Sequence, residues 1–215
     1  MAKKLTPNNQ PHLNKRVNGI YPTITIGPGP NVVNGLSVTI ADEDTPRHYS
    51  HVVSTVPLGI LRLMDTRSCG FSYALKEAIR ILRYDASVKV AIKFTNRWWE
   101  KEPYNQKGGK STTDRPSRVI VYPSNGIGGS EAVLLASYNW AQDALRFGTL
   151  VQGNKSGAEQ ILVDIILTDI ADMFGIPFDT LKKDVVSHDA WDWYHQEHSC
   201  GKIALFFLSS YSHAE

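Results

Sequence analysis

Gly108-Gly109-Lys110-Ser111-Thr112-Thr113-Asp114-Arg115-Pro116-Ser117-Arg118-Val119-Ile120-Val121-Tyr122-Pro123 is the stretch on which the reading of this chain turns. Its opening, Gly109-Lys110-Ser111, suggests a nucleotide-phosphate loop. Such a loop needs another glycine five positions before its second one, so that backbone N–H groups can curl around phosphate, and it follows an apolar strand. Tyr104 stands at the glycine position, and no apolar strand leads in. The phosphate reading fails. What remains is a polar connection, Glu100–Arg118, that runs into an apolar segment, Val119–Tyr122, which reads as a strand. The connection is longer than most in compact domains, a length that goes with function or mobility.

Working outward, the residues before the loop form a helix–strand unit. From Ser72 to about Tyr84, Leu75, Ala78, Ile79 and Leu82 fall at i, i+3, i+4 and i+7, one apolar stripe of a helix. Val88, Val90, Ile92 and Phe94 then alternate with Lys89, Ala91 and Lys93, the period of a half-buried strand. Trp98-Trp99 closes the unit. After the loop, a turn at Asn125–Ser130 leads to a strand at Val133–Tyr138. Trp140–Phe147 reads as a short helix, Ala158 to about Phe174 as a longer one, and Thr180–Val186 as another short one. Ile203–Leu208 reads as a last buried strand. Towards the N-terminus, Gly19–Tyr21, Thr23–Ile26, Leu36–Ile40 and Val52–Val56 read as the strands of a meander. Gly27-Pro28-Gly29-Pro30-Asn31 carries two prolines and no following helix, so it is a turn rather than a dinucleotide fingerprint. The expected class is α/β (α+β), a mixed, mostly antiparallel sheet with packed helices.

Composition bounds the function. The 215 residues suffice for a sizeable core, and 42% hydrophobic with 20% charged residues is ordinary for a globular protein. A net charge of +2, with Lys and Arg scattered, argues against nucleic acid or an anionic membrane as partner. Cys69 and Cys200 form neither a disulfide framework nor a zinc spacing. The polar start, Met1 to Pro11, lacks the apolar run of a signal peptide, so a cytoplasmic location is the default expectation. His188, His195 and His198 carry no established metal pattern, and no Ser stands in a G-x-S-x-G elbow.

The opening string, with its neighbours, resembles the flavin-dependent L-amino-acid oxidases of the flavin monoamine oxidase superfamily. Val52-Val53-Ser54-Thr55-Val56-Pro57-Leu58 is similar to a strand-plus-proline signature of that family. Leu82-Arg83-Tyr84, Val88-Lys89-Val90, Phe94 and Trp98-Trp99 resemble its helix–strand–tryptophan unit. Val133-Leu134-Leu135-Ala136-Ser137-Tyr138 with Asp143-Ala144 matches the next segment. His188-Asp189-Ala190-Trp191-Asp192-Trp193, followed by Gly201, looks most like the fungal members. The strings are collinear over about residues 14–208.

The resemblance implies an organisation: a flexible lead at 1–13, strands of the FAD-binding half at 14–65, a substrate-binding-like domain at 66–208 and a tail at 209–215. It also implies FAD as cofactor and an L-amino acid as substrate. In complete members, hydride leaves the amino-acid Cα for the flavin, oxygen is reduced to hydrogen peroxide, and the imino acid hydrolyses to a keto acid and ammonia. Two family features have no counterpart here. No G-x-G-x-x-G follows a strand to hold the FAD pyrophosphate, and the flavin-closing C-terminal segment is missing.

Residue by residue, the resemblance assigns Lys89 to the flavin N5, where a positive charge would assist catalysis. It assigns Trp193 to the wall of the flavin ring and the backbone of Val17 to the adenine end of FAD. It puts Tyr122 near the substrate carboxylate, to which a hydroxyl can donate, and Ile203 against the substrate side chain. Bland alternatives stand beside these: a solvated Lys89, core or rim positions for Trp193 and Ile203, and a strand-terminal Tyr122. Three expectations follow for the chain itself. It is a partial oxidase inactive alone, a subunit completed by a complementary chain that supplies the FAD-binding parts, or a non-catalytic small-molecule-binding or interaction protein. Apolar surface bared by the missing half is expected to make the chain self-associate.

Overall fold

The computed structural model describes residues 10–25, 32–152, 157–201 and 203–205. The expected turn at Gly27–Asn31, residues 206–208 of the last expected strand, and the 209–215 tail lie outside them. The chain divides into two compact units, Met1–Leu82 and Arg83–Glu215. Among the described residues, no helix is long and apolar enough to cross a membrane.

In the first unit, β1 (Val17–Thr25), β2 (Val32–Ile40) and β3 (Arg47–Tyr49) form an antiparallel sheet in that order. Ile20, Val38, Ile40 and Leu61 are its buried apolar residues. Asp65 ties the following segment back to β1, since its N–H donates to the Asn18 carbonyl and its own carbonyl accepts from Ile20. A single turn of helix, α1 (Leu58–Leu61), follows Pro57. α2 (Tyr73–Ile81) starts at Ser72, whose hydroxyl accepts the Leu75 N–H. Such a cap is worth about 1 kcal/mol. No residue of α2 is buried.

Two expectations fail here. Val52–Val56 is not a strand, and Val53 is 88% exposed. An apolar, β-branched run becomes a strand only with a partner for its backbone, and this run has no strand partner among the described residues. The helix also stops at Ile81, because Arg83–Asp85 is taken into a strand.

That strand, β4 (Arg83–Asp85), opens the second unit. Its five-stranded antiparallel sheet contains β5 (Ser87–Phe94), β6 (Lys110–Thr112), β7 (Val119–Val121), β8 (Val133–Trp140) and β9 (Val185–Asp192), in the order β6-β7-β8-β5-β9. β10 (Ile203–Leu205) pairs with β4 in a separate two-stranded sheet. The helices are α3 (Ala141–Gly148), α4 (Gly157–Phe174) and α5 (Phe178–Asp184).

β5 sets the layering. Val88, Val90 and Ile92 are fully buried and share one core with Leu134 and Ala136 of β8 and Leu162, Ile166 and Ile170 of α4. Each of the Val, Leu and Ile side chains among them stabilises the fold by about 1.5–3 kcal/mol. Phe94, Trp98, Trp99, Tyr104 and Phe174 close one end of this core edge to face. The expected loop Glu100–Arg118 holds β6, which makes a hairpin with β7 in the register Lys110↔Val121, Ser111↔Ile120 and Thr112↔Val119. β9 was not expected. The expected helix over Thr180–Val186 ends at Asp184, and the polar run after it becomes the edge strand of the sheet.

Candidate functional site

Alternation along β5 places Lys89, Ala91 and Lys93 on the face opposite the core. The antiparallel register seats Tyr138 of β8 on one side of Lys89 and Trp191 of β9 on the other. The Lys89 ammonium lies 4.9 Å from the Tyr138 ring centroid. At that separation the ring quadrupole attracts the cation. Tyr138 and Trp140 meet edge to face with centroids 5.4 Å apart, and Trp191 meets Trp193 at 6.0 Å. Trp140 and Trp191 remain 51% and 45% exposed, so the aromatic surface is presented rather than packed away. Lys93 lies across from Val133 and Ser187, with no aromatic neighbour in register, and is exposed.

The same face continues into a cavity of ≈340 Å³ lined by Ala91, Val121, Val133, Leu135 and Arg97. Ala91, Leu135 and Val121 are register partners across three strands, which fixes them on one side. Arg97 forms its back. The guanidinium, 7% exposed, donates to the carbonyls of Glu131 (2.7 Å) and Asn125 (2.9 Å) and pairs with Glu100. A buried ion pair whose guanidinium is also tied to two backbone carbonyls makes a rigid wall. Burial raises the Glu100 carboxyl pKa, but hydrogen bonds from the Gly128 N–H and then Arg97 outweigh it, and the value ends below the ordinary one.

The residues singled out in sequence separate on this geometry. Lys89 is half-buried on the aromatic face. Trp193 follows β9; its backbone N–H donates to the Ser87 carbonyl, and its indole N–H is buried without an acceptor among the described residues. Tyr122 lies on the other side of the sheet from Val121. It is 2% exposed within the core, with its hydroxyl 2.9 Å from Ser111 Oγ. Burial raises the Tyr122 phenol pKa, and the Ser111 hydrogen bond opposes that in part. Ile203 pairs with Asp85 on the two-stranded sheet. Val17 opens β1 in the first unit, paired with Ile40. Lys89 and Trp193 thus flank Trp191, whereas Tyr122 does not share the Lys89 face.

Tyr138 and Trp191 are the residues that sequence reasoning passed over. The signal was present for Tyr138. In β8 it alternates with Ser137 and Asn139, both fully buried, so it faces away from the core. Trp191 could not be placed without β9. As for the histidines, His195 Nδ1 lies 2.5 Å from the buried Asp192 carboxylate, and His188 faces Glu159 at 3.4 Å.

In chemical terms, this is an ammonium over an aromatic ring on an exposed sheet face, with a second aromatic residue in register beside it and a cavity of mixed apolar and polar lining next to it. It suits a flat conjugated ring that gains negative charge. A flavin ring fits that description, and the unsatisfied Trp193 indole N–H is a donor of the type such a ring can accept.

Comparison with known proteins bears on the same point. The profile of the family described as flavin containing amine oxidoreductase matches residues 1–213. A Dictyostelium discoideum protein named as a bifunctional amine oxidase is 41% identical over 186 residues, 84% of this chain and 17% of that protein. L-amino-acid oxidase 4 of Hebeloma cylindrosporum is 36% identical over 168 residues, 74% of this chain and 27% of the relative. The chain therefore spans less than a third of the length of these relatives. A putrescine oxidase variant shares the fold at a TM-score of 0.65 and 15% identity, over 89% of this chain and 37% of that one.

Proposed function

The chain belongs to the flavin-containing amine oxidoreductase family, and on that premise we propose that it forms the substrate-side part of an FAD-dependent L-amino-acid oxidase. The observation that carries this is the Lys89 ammonium over the Tyr138 ring, on an exposed sheet face where Trp191 is its register partner on the other neighbouring strand. When bound, FAD would supply the two-electron oxidation of the substrate amine. The chain's own residues bind, orient and set charge.

Lys89 holds a positive charge at the ring position where negative charge develops. Trp193 walls the ring. The Val17 backbone serves the adenine end, and Ile203 meets the substrate side chain. Tyr138 is better placed than Tyr122 for the substrate carboxylate, because it stands on the Lys89 face while the Tyr122 hydroxyl is taken up by Ser111 in the core. Tyr122 then supports the site from behind. The FAD pyrophosphate cradle is to be furnished by residues other than those described here, in the same polypeptide or in a complementary one.

The test is to purify the protein from its native source with everything that stays attached to it. The proposal expects a yellow flavin spectrum and hydrogen peroxide release on adding L-amino acids. A preparation that carries flavin but oxidises simple amines as readily as L-amino acids would overturn the substrate assignment. A preparation free of flavin and of any flavin-bearing partner would overturn the proposal as a whole.

A further inference from the structure

The residues next to Lys89 on the face opposite the core repeat its arrangement. Alternation along β5 puts Val88 in the core and Ser87 on the Lys89 side, about 6.6 Å along the strand from Lys89. Trp140 of β8 is the register partner of Ser87. On the other side, the Trp193 N–H donates to the Ser87 carbonyl, one step beyond the Val88↔Asp192 pair. Ser87 therefore has Trp140 and Trp193 where Lys89 has Tyr138 and Trp191. The two rows meet ring to ring, Tyr138 against Trp140 and Trp191 against Trp193.

One atom in the second row has nothing to bond. Ser87 lies on the open side of the sheet yet is 2% exposed, and its Oγ is buried with no hydrogen-bond partner among the described residues. The Trp193 indole N–H is in the same condition. Trp98 and Trp99 also hold buried indole N–H groups without a partner, but inside the core cluster rather than on this face. A buried hydroxyl left unbonded costs free energy, and alanine in its place would not incur that cost. An unpartnered polar group at the edge of a binding face is one that a ligand can satisfy.

Donor and acceptor chemistry narrows the ligand group. The Lys89 ammonium and the Trp193 indole only donate, whereas a hydroxyl adds two acceptor lone pairs. An amino acid carries a carboxylate, which takes donors, and an amino group, which needs an acceptor. We propose that Ser87 Oγ accepts a hydrogen bond from the reacting amino group of the substrate, which makes Ser87 a further substrate-binding residue of the proposed oxidase. This inference rests on that reading of the function. A neutral acceptor suits the reaction. Hydride leaves Cα only when the nitrogen lone pair is free to form the C=N bond, so the amine reacts uncharged. A carboxylate in this place would hold it as ammonium; a hydroxyl orients it without fixing its charge.

Two measurements test this. In denaturant unfolding of the 215-residue chain, Ser87→Ala should have the same midpoint as wild type or a higher one, since only an unpartnered hydroxyl is removed. In the complete or reassembled enzyme, the probes are 2-aminoisobutyrate, which has no Cα–H to lose, and isobutyrate, the same skeleton without the amine. Their binding is followed by the perturbation of the flavin absorption spectrum. Wild type should prefer 2-aminoisobutyrate, and Ser87→Ala should weaken it by about tenfold while leaving isobutyrate unchanged. A lowered midpoint would show that the hydroxyl is bonded within the fold, and would overturn the inference. So would equal loss for both probes, no loss for either, or a wild type without preference for the amine, and each of these leaves the proposed function standing. A native preparation free of flavin and of any flavin-bearing partner overturns both.

Discussion

Two lysines on one strand give the sharpest contrast at the scale of single residues. Lys89 and Lys93 lie on the same face of β5 and look interchangeable in sequence. Only Lys89 has aromatic partners in register on both neighbouring strands. If the proposed function holds, Lys89→Met in the complete or reassembled enzyme should slow flavin reduction or reoxidation far more than it weakens substrate binding, and Lys93→Met should do little. A charge that acts where charge changes stabilises the transition state more than the ground state. Stopped-flow traces with both half-reactions at wild-type rates in Lys89→Met would remove Lys89 from the flavin site. A second residue-scale prediction concerns acid. Hydrogen bonds from Arg47, then Lys15, hold the Glu43 carboxyl down to about 2, from an ordinary 4.5. Because the folded-state value is the lower one, this stabilisation is fully present above about 4.5 and is lost as pH falls towards 2. Glu43→Gln should flatten that part of the stability–pH curve, measured by denaturant unfolding at each pH.

At the scale of elements, strong local pattern was legible and partner-dependent pattern was not. The β5 alternation Val88/Val90/Ile92 against Lys89/Ala91/Lys93 is a property of the strand itself, and its expected bounds fall within one residue of those observed. α4 was also legible, starting one residue before its expected position and ending at Phe174. β9 was not, because Val185-Val186-Ser187-His188-Asp189-Ala190-Trp191-Asp192 has neither a clean alternation nor an apolar run. It is an edge strand, held by its pairing to β5. Val52–Val56 shows the converse, β-prone residues without a strand partner among the described residues. The aromatic face inherits both outcomes, since the side of β5 that Lys89 takes could be read from the alternation whereas Trp191 needed the β9 register. The covered side of α4 gives a direct measure of what periodicity captured. Ile166→Ala, at a fully buried position, should cost about 2–5 kcal/mol. Ile161→Ala, at a position 56% exposed, should fall within about 0.5 kcal/mol of wild type in the same unfolding experiment.

At the scale of the whole molecule, the question is what the two units leave uncovered. In the first, Val53 (88%), Leu63 (73%) and Tyr73 (80%) stand in solvent, and α2 buries none of its residues although Leu75, Ala78, Ile79 and Leu82 form an apolar stripe. In the second, Trp140 and Trp191 are about half exposed on the face that carries Lys89. An amphipathic helix gains most of its stability from what its apolar stripe packs against, and large exposed apolar patches mark surfaces that bind something. The relatives are more than three times as long as the stretch they share with this chain. The proposed function therefore carries two linked consequences for the 215-residue chain on its own. It should bind FAD weakly, because its sequence offers no G-x-G-x-x-G turn for the pyrophosphate. It should also bind hydrophobic dyes and self-associate, with both effects falling when a flavin-bearing partner is added. Flavin-fluorescence quenching, dye fluorescence and light scattering measure these directly. Saturable submicromolar FAD binding by a monodisperse monomer with little dye uptake would show that the 215 residues are self-sufficient, and the aromatic face would then have to be read as a complete cofactor site.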